Sequence, residues 1–573
     1  MKSLKFVLIL ILIGGNILFG QNPIIIPDTV SGPEYNLLLQ SGEIQYYSGQ
    51  KTITMGVNGD ILGPTLLMDK DDQISLVVEN QLGEPTTIHW HGMHVSASND
   101  GGPHTVIEAS AIWNPQFTVL DEAGTYWYHP HLHEKTNEHV SKGLAGFIIV
   151  RDDDEASLEL PRTYGVDDFP LAIQTKDFDE NNQIVVPSNA DDILMVNATI
   201  DPVLDVPAQV VRFRVLNGSS QRVFNIGFSD DHTFYQIASD GGLLSESISL
   251  TRLQLAPGER AELLFNFSGM DGQSIKLMSY ASEFQNGIYG ATYPGMMSMM
   301  TLNNYNPNPL NGNDYEIMTL NVVSTTGNPV TTIPTTLVEV NPIPESWANI
   351  TRNIVFTPSQ MGSSQLNYPF LINGTGFDMN VINYSIPLNN IEIWDITNQS
   401  AIAHPFHIHD VQFFVLDRNG STLPPGEQGY KDVILIEPLE TVRFITQFTD
   451  FANDTVPYMF HCHMLVHEDD GMMGQFEVVD NTLGVDIYSG LEENVILYPN
   501  PINDGLLRIV FIDGERMVES YEIISVSGRL IVYQPLGMST NNLVIYLSTI
   551  VDGQYWIRIN SNDKFITKKF IKN

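Results

Sequence analysis

A chain of 573 residues with 67 acidic side chains against 27 basic ones has a formal net charge of -40; such a surface repels phosphates, which excludes nucleic acid as a partner. Hydrophobic residues make up 43%, and at roughly 100–200 residues per domain the length predicts three to five domains. Cys462 is the only cysteine, so an intrachain disulfide framework is excluded.

In chain order, the first element is a predicted signal peptide over 1–20. Lys2 and Lys5 open it, and the apolar run from Phe6 to Phe19 is too short for a comfortable membrane span. No later segment approaches 18 uninterrupted apolar residues, so an exported mature chain without a transmembrane segment is expected. Short stretches rich in Val, Ile, Thr, Phe and Tyr, punctuated by Gly and Pro, predict an all-β protein of sandwiches or barrels. A first domain is expected over 21–152, with "TTIHWHG" and "GTYWYHPHLH" as strands. A second, over 155–323, holds "VVRFRVLNGSSQRVFNIGF" and "ERAELLFNF" but a single histidine, His232. A Pro/Thr-rich linker follows near 325–344, then a third domain over 346–480 and a small β unit over 483–573.

Ten of the 15 histidines fall into four clusters: His89 and His91; His129 and His131; His404, His407 and His409; His461, His463 and His467. On a strand, residues i and i+2 share a face, so each H-x-H pair presents two imidazoles roughly 6–7 Å apart. That spacing suits two neighbouring metals better than one, and eight such imidazoles fit a compact cluster of copper ions. In "HCH" the flanking histidines face one way and Cys462 the other. Cys462 with His467, Met472 and His404 makes two His, one Cys and a weak axial Met, the ligand set of a blue-copper site. Only Cys462 and its neighbours would separate that site from the cluster.

"HWHG", "HPH", "HPFHIH" and "HCHMLVHEDDGMM" resemble, in order and separation, the four copper-binding motifs of multicopper oxidases, a group that includes laccases and bacterial cuprous oxidases. The resemblance implies three cupredoxin-like Greek-key β-sandwich domains and four coppers. His404, Cys462, His467 and Met472 would hold type 1 copper, and His89 and His407 type 2. His91, His129, His131, His409, His461 and His463 would hold the type 3 pair. It also implies that Asp100 and Glu468 relay protons to dioxygen, whose reduction to water consumes them. His94, His104, His133, His139 and His232 match no ligand position.

The activity so implied is oxidation of a small reductant, such as a phenol or an aromatic amine, at the expense of O2. The reductant would dock at a solvent-facing edge of the type 1 site, beside His404 or His467. Two alternatives stand beside it: a cuprous oxidase for copper tolerance, and a non-catalytic copper-binding surface protein. Met296, Met297, Met299 and Met300 form a tight group whose thioethers favour Cu(I), although such a group also serves as a packing loop. The stretch 354–403 holds only Met361 and Met379, a departure from the cuprous-oxidase pattern.

The last segment resembles the C-terminal sorting domain of type IX secretion. The matching positions are Pro499, Asn500 and Pro501, the Ser525–Gly528 turn, Gly553, Tyr555, and the basic end with Lys568, Lys569 and Lys572. It implies the secretion machinery as a partner and a secreted or cell-surface location. A monomer is expected.

Overall fold

The computed structural model describes residues 22–480 and 495–572, apart from 503–504, 512–513, 526–529, 548–549 and 562–563. The expected signal peptide lies outside the described residues, as does most of the Ser525–Gly528 turn. The chain divides into two compact units, Met1–Val478 and Val479–Asn573. Among the described residues no helix is long and apolar enough to cross a membrane.

The larger unit holds three β-sandwiches in succession. In the first, one sheet runs Thr29–Ser31, Thr65–Asp69, Gly146–Arg151, Gly124–His129, His89–His91; the other is built on Thr52–Val57, Glu34–Ile44 and Gln73–Asn80. Strict alternation in Gln73–Asn80 sends Ile74, Leu76 and Val78 inward against Tyr35, Leu37 and Leu39. Each such side chain contributes about 1.5–3 kcal/mol on burial. The third sandwich pairs a sheet through Ile350–Pro358, Ile391–Asn398 and Thr441–Gln447 with one ordered Tyr384–Pro387, Met473–Val479, Tyr458–Cys462, His404–Ile408, Val433–Ile436. Its core gathers Trp394, Phe406, Phe444 and Phe460.

The middle sandwich departs from simple inside-apolar, outside-polar alternation. In Val210–Asn217, Val211, Phe213 and Val215 enter the core. Arg212 and Arg214 on the opposite face are equally buried. They are paired with Glu155, Asp168 and Glu262, and Arg214 also donates to Thr125 of the first sandwich. Buried ions persist only when paired and hydrogen-bonded in this way. That row of charges seats the first sandwich on the middle one. The first described strand, Asn22–Pro23, also joins the middle sandwich, in parallel with Pro202–Pro207. The Pro/Thr-rich segment is pinned to it too, with Val330 accepting from Val210 and Leu337 donating to Ser245.

The second unit is a β-sandwich of a three-stranded and a four-stranded sheet. Leu507, Ile509, Phe511, Ile557, Ile559 and Phe570 lie in its core.

Candidate metal centre

The H-x-H pairs lie at the strand ends where the first and third sandwiches meet. His89–His91 pairs with Gly124–His129, setting His129 opposite His89. His404–Ile408 pairs with Tyr458–Cys462, setting His407 opposite His461 and Phe406 opposite Cys462. His131, His409 and His463 follow just beyond the ends of their strands. The two sets interlock: His91 stacks on His407 with ring centroids 3.8 Å apart, and His89 on His409 at 3.9 Å.

Eight imidazoles therefore line one cage, and none is more than 1% exposed. His91 Nδ1 lies 3.2 Å from both His129 Nε2 and His463 Nε2. His131 Nε2 lies 3.2 Å from His461 Nε2, and His409 completes that group. His89 Nε2, His407 Nε2 and His409 Nε2 are buried without a protein partner. Outside the cage, backbone carbonyls orient the rings: Asp100 for His89, Pro130 for His129, Asp432 for His407 and Cys462 for His461. Burial, then the neighbouring imidazoles, hold His91, His129, His131, His407, His409 and His463 well below the usual histidine range. Burial likewise takes His461 down to about 3. Neutral rings with bare inward nitrogens are the state that binds metal.

A second group sits on the other side of Cys462. Cys462 Sγ is 3.5 Å from Nδ1 of both His404 and His467, and those two nitrogens are 3.2 Å apart. Met472 is fully buried in the same core, and its carbonyl accepts from Cys462 N. Burial pushes the Cys462 thiol well above its ordinary value, so ionisation there calls for a cation beside the sulfur. Burial takes His467 down to about 3.

The expectation of a solvent-facing imidazole edge at this group is not met. His404 and His467 are 0% and 1% exposed. Phe370 packs on both rings at 4.6 Å, Tyr368 meets the edge of His467 at 5.2 Å, and Ser400 caps His404 Nε2. Phe370 opens the short strand Phe370–Ile372 and Tyr368 precedes it, and the sequence does not reveal where this segment packs.

Asp100 and Glu468 both reach the cage. Asp100 Oδ2 is 2.8 Å from His409 Nδ1, and Oδ1 is 3.2 Å from His89 Nδ1. Glu468 lies between His131 Nδ1 at 3.4 Å and His461 Nδ1 at 3.3 Å. Burial holds its carboxyl well above the usual carboxylate range, with Asp469 adding to the effect. The remaining histidines find other partners: His94 with Asp410 and Asp450, His104 with Gln475, His139 with Thr86, and exposed His232 with Asp230, while His133 packs on Phe377. Sequence reasoning missed Asp432 and Arg260, which back the cage. The available signal was a Lys431–Asp432 pair opening the apolar run "VILI".

The methionine group lies close to the Cys462 site. Met296 N donates to Ala401 O, three residues before His404, and Met300 packs on the core that holds Cys462 and Met472. Met297 and Met299 are 49% and 83% exposed.

The multicopper oxidase family description matches residues 39–155 and again 348–482, and a secretion system C-terminal sorting domain matches 496–573. "Multicopper oxidase mco" of Staphylococcus haemolyticus is 31% identical over 80% of this chain and 93% of that protein. "Cell division protein FtsP" of Dickeya dadantii is 29% identical over 80% of this chain and 92% of its own length. Among solved structures, a laccase-like multicopper oxidase, CueO, from Ochrobactrum superposes with TM-score 0.69 at 32% identity, over 80% of this chain and all of that one. The multicopper oxidase of Campylobacter jejuni, described as a metallo-oxidase, gives 0.67 at 27%, over 81% of this chain and 96% of that one. The chain belongs to the multicopper oxidase family, as a copper-dependent oxidoreductase that carries a secretion-system sorting domain at its C-terminal end.

Proposed function

We propose that the protein is a secreted oxidase that couples one-electron oxidations of a small reductant to reduction of dioxygen to water. The observation that carries this reading is Cys462: its thiol faces the His404–His467 pair while His461 and His463, on either side of it, face the eight-imidazole cage. The donor sets fit copper, since thiolate with imidazole suits one site and all-imidazole the other. The unpartnered inward nitrogens of His89, His407 and His409 fit it as well. His404, Cys462, His467 and Met472 would hold a type 1 ion. His89 and His407 would hold type 2, and His91, His129, His131, His409, His461 and His463 a type 3 pair. Copper held by these sets would supply one-electron redox chemistry at the first and reduction of dioxygen at the second. Cys462 is the covalent bridge between the sets. Glu468 holds a proton on its carboxyl between His131 and His461, and Asp100 is the second acid of the relay, beside His409 and His89. Phe370 and Tyr368 exclude water from the His404–His467 pair, so electrons enter across one layer of side chains rather than by direct contact. The sandwiches are taken as three domains near 21–152, 155–323 and 346–480. The segment beyond 483 directs type IX export to the cell surface or medium.

For the reductant, a phenol or an aromatic amine is the first reading, in line with the oxidase activity of the Ochrobactrum enzyme towards lignin model compounds. Oxidation of Cu(I) is the second, favoured by the exposed thioethers of Met297 and Met299 on the loop hydrogen-bonded beside the Cys462 site. Oxygen uptake by the copper-loaded protein with Cu(I) and with a methoxyphenol at matched concentration separates them. Faster uptake with the phenol supports the first reading and faster uptake with Cu(I) the second. No uptake with either, at full copper loading, overturns the oxidase and leaves a copper-binding protein.

A further inference from the structure

One imidazole in the cage is turned the other way from the rest. His89, His129, His407, His409 and His461 each present Nδ1 outward to a carbonyl or carboxylate oxygen. His131 likewise turns Nδ1 towards Glu468, and His463 turns Nε2 inward. His91 alone presents Nδ1 inward, to His129 and His463, and points Nε2 outward to Asp432 Oδ1 at 3.2 Å. A ring nitrogen facing a carboxylate oxygen must carry the proton, so the outward contact decides which nitrogen is bare inside.

Asp432 is itself immobilised. Arg260 Nη1 donates to its Oδ1 and Nη2 to its Oδ2, both at 2.6 Å. The other guanidinium donors are also spent: Nε on Thr125 O, Nη1 on Gly258 O, and Nη2 on Asp240 O. Every N–H of the fork therefore has an acceptor, and those acceptors come from all three sandwiches. Burial alone would favour a neutral guanidine, but the Asp432 and Asp240 carboxylates outweigh it and keep Arg260 protonated. The close fit requires a glycine after His91. Gly92 has φ +87, and a Cβ there would collide with Asp432 Oδ2 and sit 2.7 Å from Arg260 Nη2. Asp432 lies near enough to His91 and His407 to be counted a metal ligand. Its carboxylate oxygens are already taken by Arg260 and His91, and a guanidinium 2.6 Å away disfavours a cation there.

We propose that Asp432, pinned by Arg260 of the middle sandwich, is a positioning residue that fixes His91 in its Nε2–H tautomer and so turns Nδ1 into the cage. The middle sandwich supplies no histidine to the cage, yet through Arg260 it sets the face of one. The inference rests on the copper assignment above.

The test compares the full-length chain with Asp432→Asn and Arg260→Lys. An asparagine has one acceptor oxygen where Arg260 and His91 use two. Lysine keeps the charge but loses the fork. In copper-free protein with ring-labelled histidine, nitrogen NMR is expected to find an Nε2-protonated ring that disappears in His91→Gln. In Asp432→Asn that ring should shift towards the Nδ1-protonated form. Titration with a copper chelator should strip the cage about 10–100-fold more readily in Asp432→Asn, with a smaller loss in Arg260→Lys. The blue absorption of the Cys462 site should be unchanged in both. A merely structural clamp would weaken both sites together. Retention of the Nε2–H tautomer and of parental copper affinity in Asp432→Asn overturns the proposal. If that variant does not fold, Arg260→Lys with unaltered tautomer and affinity overturns it equally. A parent chain that takes no copper into the cage but shows the predicted tautomer sinks the copper assignment alone.

Discussion

His131 Nε2 and His461 Nε2 lie 3.2 Å apart although 330 residues separate them. Neither ring is protonated in the folded protein near neutral pH, because burial holds both well down. Ring nitrogens brought this close from opposite sandwiches, each able to offer a lone pair inward, suit a cation held between them. Copper should therefore stabilise the fold by mass action, about 2.7 kcal/mol at a hundredfold excess over its dissociation constant. Calorimetry with and without copper checks this, and an unchanged Tm would contradict it.

The same burial fixes the pH response of the copper-free protein. A histidine whose folded pKa is depressed binds fewer protons than the unfolded chain once pH falls below about 6.5. Its stabilising contribution is then complete above that value and drains away on acidification towards the folded values, about 3 for His461 and His467. Urea midpoints of the copper-free protein should fall steadily from pH 6.5 to pH 4, and a flat profile would argue against buried neutral rings.

Glu468→Gln keeps the shape between His131 and His461 but removes the transferable proton. Oxygen consumption should drop about 100-fold, while anaerobic reduction of the blue site stays at the parental rate. Asp100→Asn should differ, because Asp100 also anchors His409 and His89. Copper content should fall along with turnover, which metal analysis of the purified variant reads directly.

Gly92→Ala puts a Cβ into the Asp432–Arg260 pair at a φ of +87. The strain of a non-glycine residue there, of order 1–3 kcal/mol, adds to the collision, so a Tm several degrees lower and weaker copper retention by the cage are expected. Gly258 has the same φ, and a Cβ there would meet the His463 ring at 3.0 Å. Gly258→Ala should show a similar but milder loss, whereas Gly83→Ala, where a Cβ meets nothing, should show only backbone strain.

Replacing Met296, Met297, Met299 and Met300 together by leucine removes the thioethers and keeps the bulk. If Cu(I) is a substrate, its kcat/KM should fall at least about tenfold, since thioethers favour Cu(I). The phenol rate should hold or rise. Equal rates with Cu(I) before and after would make the loop packing alone.

The parts of this site that sequence could reach are those fixed by local geometry. An H-x-H pair on a strand must present two rings to one face, and H-C-H must turn its thiol to the other. His89 and His91, which share one strand, follow that rule, whereas His131, His409 and His463 lie just past their strand ends and His467 sits on the short helix Leu465–Asp469, so their places were legible only from the order of the motifs. The relationships that span sandwiches were out of reach. Arg260 meets Asp432 across 172 residues and His91 meets Asp432 across 341, and nothing local in "ERAELLFNF" reveals them. The cover over His404 and His467 was not legible for the same reason: Phe370 opens the short strand Phe370–Ile372 and Tyr368 precedes it, and where that strand packs is set by tertiary contacts. Arg212 and Arg214 also look solvent-facing in an alternating strand, and only the apposed first sandwich makes them buried.

Whether Cys462 bridges two separate copper sites is tested by copper content and visible absorption of the parent chain beside Cys462→Ser, both purified and loaded alike. The parent should be blue, and the variant should lose the colour and one copper per chain. The coppers of the histidine cage should remain, no longer reducible from outside. A variant that keeps its colour, or one that is folded yet loses all of its copper, would contradict the assignment of Cys462 as the bridge between two separate sites.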